Sequence, residues 1–222
     1  MELILQSNKE VEIKDPFKAL VGYDKSLRNQ IEQAKAAIMY PPNGLHTLII
    51  GPSGVGKTLF ANTMYEYAKI GKVQEDFPFV SFNCADYYNN PQLLLSQLFG
   101  HVKGSFTGAD TDKLGLVDSA NGGILFLDEI HRLPPDGQEM LFFLMDKGEY
   151  YRLGETSVSR KSNLLIIGAT TEDPKKSLLK TFLRRIPVII TLPSLEEKAV
   201  EERVELVQKL FVEEALRINK EI

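Results

Sequence analysis

Glycines at 51, 54 and 56, followed at once by a lysine and a threonine, give the spacing G-x-x-x-x-G-K-T over Gly51-Pro52-Ser53-Gly54-Val55-Gly56-Lys57-Thr58. This combination suits the phosphates of a nucleoside triphosphate. Glycines let successive backbone N–H groups converge on phosphate oxygens, and a helix starting there adds the favourable end of its dipole. Lys57 is placed to reach the β- and γ-phosphates as a point charge, and Thr58 to offer its hydroxyl to Mg²⁺. Leu59 joins the nucleotide-binding set as the next residue of that helix. A glycine-rich turn that binds nothing is the alternative. The flanks argue against it: Leu45 to Ile50 reads as a buried parallel strand and Thr58 to about Lys69 as the following helix, the context the spacing requires.

A second chemical cluster ends the apolar run Ile124-Leu125-Phe126-Leu127 in Asp128-Glu129. A strand next to the phosphate-loop strand in a parallel sheet brings its terminal acids beside the phosphates. Asp128 then suits the Mg²⁺ shell, and Glu129 suits orienting and deprotonating an attacking water. Solvated loop charges or helix caps are the competing reading. Leu164 to Thr171 is a further apolar strand, ending in Thr170 and Thr171, hydroxyls that either sense a γ-phosphate or are plain strand residues. Arg184 and Arg185 close a short helix read over Ser177 to Arg185; they complement its dipole, or reach the ATP of a neighbouring subunit. His46, His101 and His131 share no metal-ligand spacing and read as ordinary strand or loop residues.

The elements that must position these groups alternate in type. Asp24 to Met39 carries Leu27, Ile31, Ala34 and Ile38 at helical spacing. Phe79 to Asn83 is a short strand after the polar connection Gly71 to Pro78, and Pro91 opens a helix to Phe99 with Leu94, Leu95 and Leu98 on its core face. Gly100 to Ala109 is a glycine-punctuated loop with a bare phenylalanine, a composition that suits contact more than core. Asp112 to Asn121 and Asp136 to Lys147 read as helices, Glu149 to Asn163 as a hairpin turning at Gly154, and Val188 to Leu192 as the fifth strand. Ser194-Leu195-Glu196-Glu197 is a capping box opening a helix with the stripe Val200, Val204, Val207 and Phe211. The expected fold is α/β: a three-layer αβα core with a five-stranded parallel sheet over 19–193, preceded by a linker over 1–18 and followed over 194–222 by the start of a helical subdomain, cut before its partners.

The chain has 222 residues, 43% hydrophobic and 25% charged, enough for one large packed domain. A net charge of −4 argues against broad, nonspecific contact with nucleic acid. The single cysteine, Cys84, fits a reducing compartment and a small buried role, and the N-terminus lacks the features of a signal peptide. No stretch is long enough to span a bilayer, so the expected place is the cytoplasm.

Taken in order, the phosphate loop, Phe82-Asn83-Cys84-Ala85, Leu98-Phe99-Gly100-His101, Gly104-Ser105-Phe106-Thr107-Gly108-Ala109, the Gly122-to-Glu129 strand and Leu192-Pro193-Ser194-Leu195 resemble the AAA+ domain of sigma-54-dependent bacterial transcription activators. The phenylalanine-threonine loop is the most specific part. The resemblance implies a ring ATPase, usually hexameric, that uses ATP and Mg²⁺ to remodel RNA polymerase carrying sigma-54. By position, Gly104 to Ala109 would contact sigma-54 with Phe106 and Thr107 at the tip, and Asn83 would hold Glu129 off the water. Thr170 and Thr171 would occupy the nucleotide-sensing strand end, Arg184 and Arg185 would supply the finger in trans, and Glu149 to Asn163 would support the first loop. Three positions depart from the family pattern: Ser105 replaces an alanine, Thr171 an asparagine, and Leu178 stands where many members carry another arginine. These, with Phe182-Leu183-Arg184-Arg185-Ile186-Pro187, look more like the branch of the levanase-operon regulator, whose ATPase is joined to sugar-phosphotransferase regulatory domains. DNA recognition would need a separate helix-turn-helix unit, and none is visible. A remodeller of another protein or nucleic-acid client, and a nucleotide-gated assembly module with little turnover, remain as alternatives.

Overall fold

Strands that are apolar at every position, alternating with helices, can bury both faces only in a parallel sheet covered on two sides. The computed structural model of the chain, described over residues 15–71 and 77–220, has this form. Its first half runs α1 (Arg28–Met39), β1 (Thr47–Ile50), α2 (Lys57–Gly71), β2 (Phe79–Asn83), α3 (Pro91–Phe99), β3 (Gly100–His101), β4 (Lys113–Leu114) and α4 (Leu116–Ser119). There follow β5 (Ile124–Asp128), α5 (Pro135–Lys147), β6 (Glu149–Tyr150), β7 (Arg160–Lys161), β8 (Leu165–Thr170), α6 (Pro174–Ser177), α7 (Lys180–Leu183), β9 (Val188–Thr191) and α8 (Val200–Lys220).

Five strands form one all-parallel sheet in the order β2-β5-β8-β1-β9. The period of two sends alternate residues to opposite faces. Leu48, Leu125, Leu127 and Ile166 meet α3, α5 and α7 on one side. Ile49, Ile124, Phe126, Leu165 and Ile167 meet α1 and α2 on the other, as the three-layer reading requires. The strand order corrects one expectation: β8 lies between β1 and β5, so the acid-bearing strand is one place removed from the phosphate-loop strand.

Four further details differ from the sequence reading. Asp112 to Asn121 is not one helix, because Lys113 and Leu114 pair antiparallel with Gly100 and His101, and only Leu116–Ser119 is helical, with the Asp118 carboxylate accepting the Gly115 N–H at 3.0 Å. Ser177 to Arg185 divides into α6 and α7, since Leu178 and Leu179 are extended. Both capping-box bonds form, with Ser194 N–H donating to Glu197 at 2.7 Å and Glu197 N–H to Ser194 Oγ at 3.3 Å, yet the helix begins only at Val200. Its apolar stripe points outward: Val204, Val207 and Phe211 are exposed, while Glu202 is buried and binds the Ser26 backbone and hydroxyl. Lys209 of the same face donates to the Ala19 carbonyl at 2.7 Å, so these hydrogen bonds tie this helix to the body beside the half-buried Leu206.

The segment read as a linker is, from Asp15 onward, part of the packed body. Pro16–Ala19 is a 3₁₀ turn whose Phe17 is fully buried between Phe60 and Tyr67. Residues 1–14 and most of the connection from Gly71 to Pro78 lie outside the described residues. Among those described, no helix is long and apolar enough to cross a membrane.

Candidate active site

Everything chemical converges at the C-terminal ends of the parallel strands, where open α/β sheets bind ligands. β1 ends at Ile50, and the chain turns through Gly54 and Gly56, both in the left-handed region at φ 79° and 93°, before α2 starts at Lys57. A Cβ on either glycine would meet nothing within 4 Å, so the loop borders open space at both positions. Lys57 is buried, and its ammonium donates to the Gly51 and Pro52 carbonyls at 2.9 and 3.0 Å. One of its three donors is left over for a phosphate.

Thr58 sits at the first turn of α2, and its hydroxyl lies 3.2 Å from Asp128 Oδ2 although a strand separates them. Hydroxyl and carboxylate are hard oxygen ligands of the kind Mg²⁺ takes with phosphate oxygens. The donor set therefore fits a triphosphate with its metal.

Glu129 follows in the left-handed conformation, at φ 48° the one non-glycine residue with positive φ among those described. Such a backbone is held only when its surroundings over-determine it. Here Ile130 is fully buried and packs on Gly168 of β8, where a Cβ would fall 2.9 Å from Ile130 Cδ1. The turn is thus pinned to the sheet, with the Asp128 carboxylate accepting the Glu129 N–H at 2.9 Å. The Glu129 carboxylate accepts from Thr171 Oγ1 at 3.3 Å.

The two strand-end threonines divide their work. Thr170 is fully buried, and its hydroxyl is engaged by the Glu172 N–H and the His131 ring, both at 3.0 Å. Thr171 is exposed and faces Glu129. Asn83 is not joined to Glu129; its side chain accepts the Ala85 N–H and donates to Asp86, each at 3.0 Å. Arg185 pairs with Asp146 and lies over the Phe142 ring on α5, whereas Arg184 is exposed and has no side-chain partner among the described residues.

The loop from Gly104 to Ala109 stands apart from these groups. It closes on itself through Gly104 N–H to Ala109 O at 2.8 Å and Ala109 N–H to Phe106 O at 3.0 Å. Thr107 is exposed, but Phe106 is half-buried against the edge of His101, so it is less bare than its glycine neighbours suggest. Gly154 of the hairpin lies directly on this loop, where a Cβ would come 2.5 Å from that of Ser105.

A sigma-54 interaction domain model matches residues 20–189. The chain belongs to the sigma-54 interaction domain family. Among curated relatives, it is 61% identical over 209 residues to the transcriptional regulatory protein LevR of Bacillus subtilis, covering 94% of this chain and 22% of that protein. It is 50% identical over 208 residues to the transcriptional regulatory protein DagR of Salmonella typhimurium, again 94% of this chain and 22% of the relative. The branch of the levanase-operon regulator is thereby supported, and the chain spans about a fifth of these relatives. NtrX from Brucella abortus, solved in complex with ATP, superposes with a TM-score of 0.62 at 26% identity, over 79% of this chain and 37% of that one. RuvB of Thermotoga maritima shares the P-loop AAA+ fold at a TM-score of 0.58 and 19% identity, over 88% of this chain and 53% of that one.

Two features of this sigma-54 interaction domain escaped the sequence. A cavity of about 230 Å³ opens beside the phosphate loop, lined by Val21, Leu27, Val55, Leu59, Leu192 and Leu206 among others. Its walls come from distant segments, so no local pattern marks it. His131, set aside as an ordinary loop residue, lies 3.4 Å from Glu129 Oε2. The run Asp128-Glu129-Ile130-His131 was its signal: two residues past the acid, on the same tight turn.

Proposed function

We propose that this domain hydrolyses ATP in a ring of identical subunits and uses the turnover to remodel RNA polymerase carrying sigma-54. The observation that carries the ATPase part is the 3.2 Å approach of Thr58 to Asp128, with Lys57 beside them and Glu129 at the same strand end. Bound there, ATP with Mg²⁺ supplies a phosphoryl group whose transfer needs positioning and charge stabilisation more than covalent help. Lys57 and the amides of Gly54 and Gly56 hold the triphosphate, Thr58 and Asp128 the metal, and the cavity at Val21 and Leu206 excludes water from the base. Glu129 takes the proton of the attacking water.

Arg184 and Arg185 are both exposed at the end of α7, as an arginine serving a neighbouring subunit must be. Arg184 is the better finger, because Arg185 is already paired with Asp146. Such a residue contributes on the order of 10³-fold or more in rate. Hexameric assembly, a cytoplasmic location and control of a carbohydrate-uptake regulon through phosphotransferase-type domains belong to the same reading of the parent protein. The match of the sigma-54 interaction domain over residues 20–189 favours sigma-54 over another client, and Thr107 is exposed to meet it.

The test is binding of the parent-length protein to purified sigma-54 with ADP and aluminium fluoride, comparing the unaltered protein with Thr107→Ala. Binding that needs both the analogue and Thr107 is expected. ATPase activity without any sigma-54 binding would keep the enzyme and reject the partner, and ATP-dependent assembly without hydrolysis would reject the motor.

A further inference from the structure

The acid that serves as base in the mechanism above is gripped by a residue the mechanism does not use. His131 Nδ1 lies 3.4 Å from Glu129 Oε2 and 3.0 Å from Thr170 Oγ1, and its side chain is 7% exposed. Ile130 anchors the turn between the two residues, so neither can drift from the other without unpacking it. We infer that His131 is a positioning residue for Glu129, acting on that carboxylate beside Thr171 and linking it to the end of β8 through Thr170. The inference rests on the ATPase reading.

Counting protons shows how the link works. Thr170 Oγ1 accepts the Glu172 N–H, which leaves it one proton to give and one lone pair. With the imidazole proton on Nδ1, that N–H donates to Thr170 Oγ1, and its positive end lies 3.4 Å from Glu129 Oε2, which draws the carboxylate toward the ring. With the proton on Nε2, Nδ1 spends its one lone pair on the Thr170 hydroxyl and offers Glu129 Oε2 nothing. The carboxylate then loses the ring's help in orientation and keeps only the bond from Thr171 Oγ1. The two arrangements differ in no net charge, only in which nitrogen carries the proton and which way one hydroxyl points. Any shift of the β8 end that favours one of them therefore changes what Glu129 can do.

The charged groups around the ring are Glu129 and Arg132 on its own turn, Glu172 after β8, and Lys57 of the phosphate loop. Burial holds the imidazole below its ordinary value, against the pull of Glu129, which keeps the neutral tautomers the working forms at neutral pH.

Steady-state ATPase of the parent-length protein separates positioning from packing. His131→Phe keeps the ring and removes both nitrogens; His131→Asn keeps a polar atom where Nδ1 stands. Removing an orienting partner of this kind typically changes activity on the order of 10-fold or more. The expected result is a loss of that size in kcat for His131→Phe with KM for ATP nearly unchanged, largely restored in His131→Asn. Thr170→Val and Thr170→Ser repeat the comparison from the other end of the link should His131→Phe fail to fold: the first should lower kcat and the second restore it. Unchanged kcat in both His131→Phe and Thr170→Val overturns the inference, as does a His131→Asn variant no better than His131→Phe. If the unaltered protein turns over ATP and Glu129→Gln does not, a negative result at His131 and Thr170 falls on this inference alone. If the unaltered protein binds ATP and never hydrolyses it, the ATPase reading fails and takes the inference with it.

Discussion

The strand ends and the loop pair of this domain are built in opposite ways. Lys57, Asp128 and Glu129 hang from β1 and β5, strands inside a sheet whose side chains at 124–127 are all fully buried. The loop at Gly104 to Ala109 rests on two-residue ladders: β3 with β4 below it, and a single bridge from His101 to Leu153 of the hairpin. Around the hairpin, charges replace core. Arg152 pairs with Glu155 at 3.2 Å and Asp112 at 3.5 Å, and Arg160 with Glu155 at 3.2 Å. The groups that perform chemistry are held by cooperative burial, which resists displacement, whereas the contact surface is held by few backbone bonds and can move as a unit. The activity proposed above, in which a phosphate event drives a loop movement, would need both.

The largest effect should come from the rigid end. Glu129→Gln keeps the shape and removes the base, so ATP binding should persist while turnover falls on the order of 10²-fold or more, read by single-turnover hydrolysis. Normal turnover in this variant would place the base elsewhere. Leu127→Ala, one residue before the acids and fully buried, should cost about 2 to 5 kcal/mol of global stability by denaturant unfolding.

Gly154→Ala probes the mobile region. Its φ of 78° disfavours a side chain by roughly 1 to 2 kcal/mol, and the new Cβ would collide with Ser105. ATPase should stay near normal while sigma-54 binding with ADP and aluminium fluoride weakens several-fold. Equal loss of both would show that the loop pair is structurally continuous with the sheet and abolish the contrast drawn above.

The smallest effect concerns pH. His46, at the start of β1, accepts the Ile166 N–H on Nδ1 at 3.0 Å, and burial pushes its imidazole from 6.5 down to about 4. The folded state thus binds fewer protons than the unfolded chain between those values, so the contribution is complete above about 6.5 and is lost as pH falls toward about 4. Thermal unfolding midpoints across that window should flatten in His46→Asn. An unchanged slope would assign the acid sensitivity to other groups.

The buried Cys84 thiol, raised to about 12 by desolvation and then by the nearby Asp128, Glu129 and Asp86 carboxylates, shows how one-sided the charge is at this strand end. Cationic Lys57 and a bound metal would offset it.

The sequence by itself determined what depends on neighbours along the chain. Apolar runs marked four of the five parallel strands and a short mixed segment the fifth, glycine spacing marked the phosphate loop, and helical periodicity marked Leu94, Leu95 and Leu98 as core, all three of which are buried. Tertiary structure alone decided whatever joins segments far apart in sequence. It inserted β8 between β5 and β1, gave Asn83 to Asp86, set His131 between Glu129 and Thr170, and turned the stripe of α8 outward because Ser26 and Ala19 offered hydrogen bonds to its other face. Periodicity reports which face of an element is apolar. It carries no record of strand register or of which polar partner waits across a gap, since those follow from how the packed layers come together.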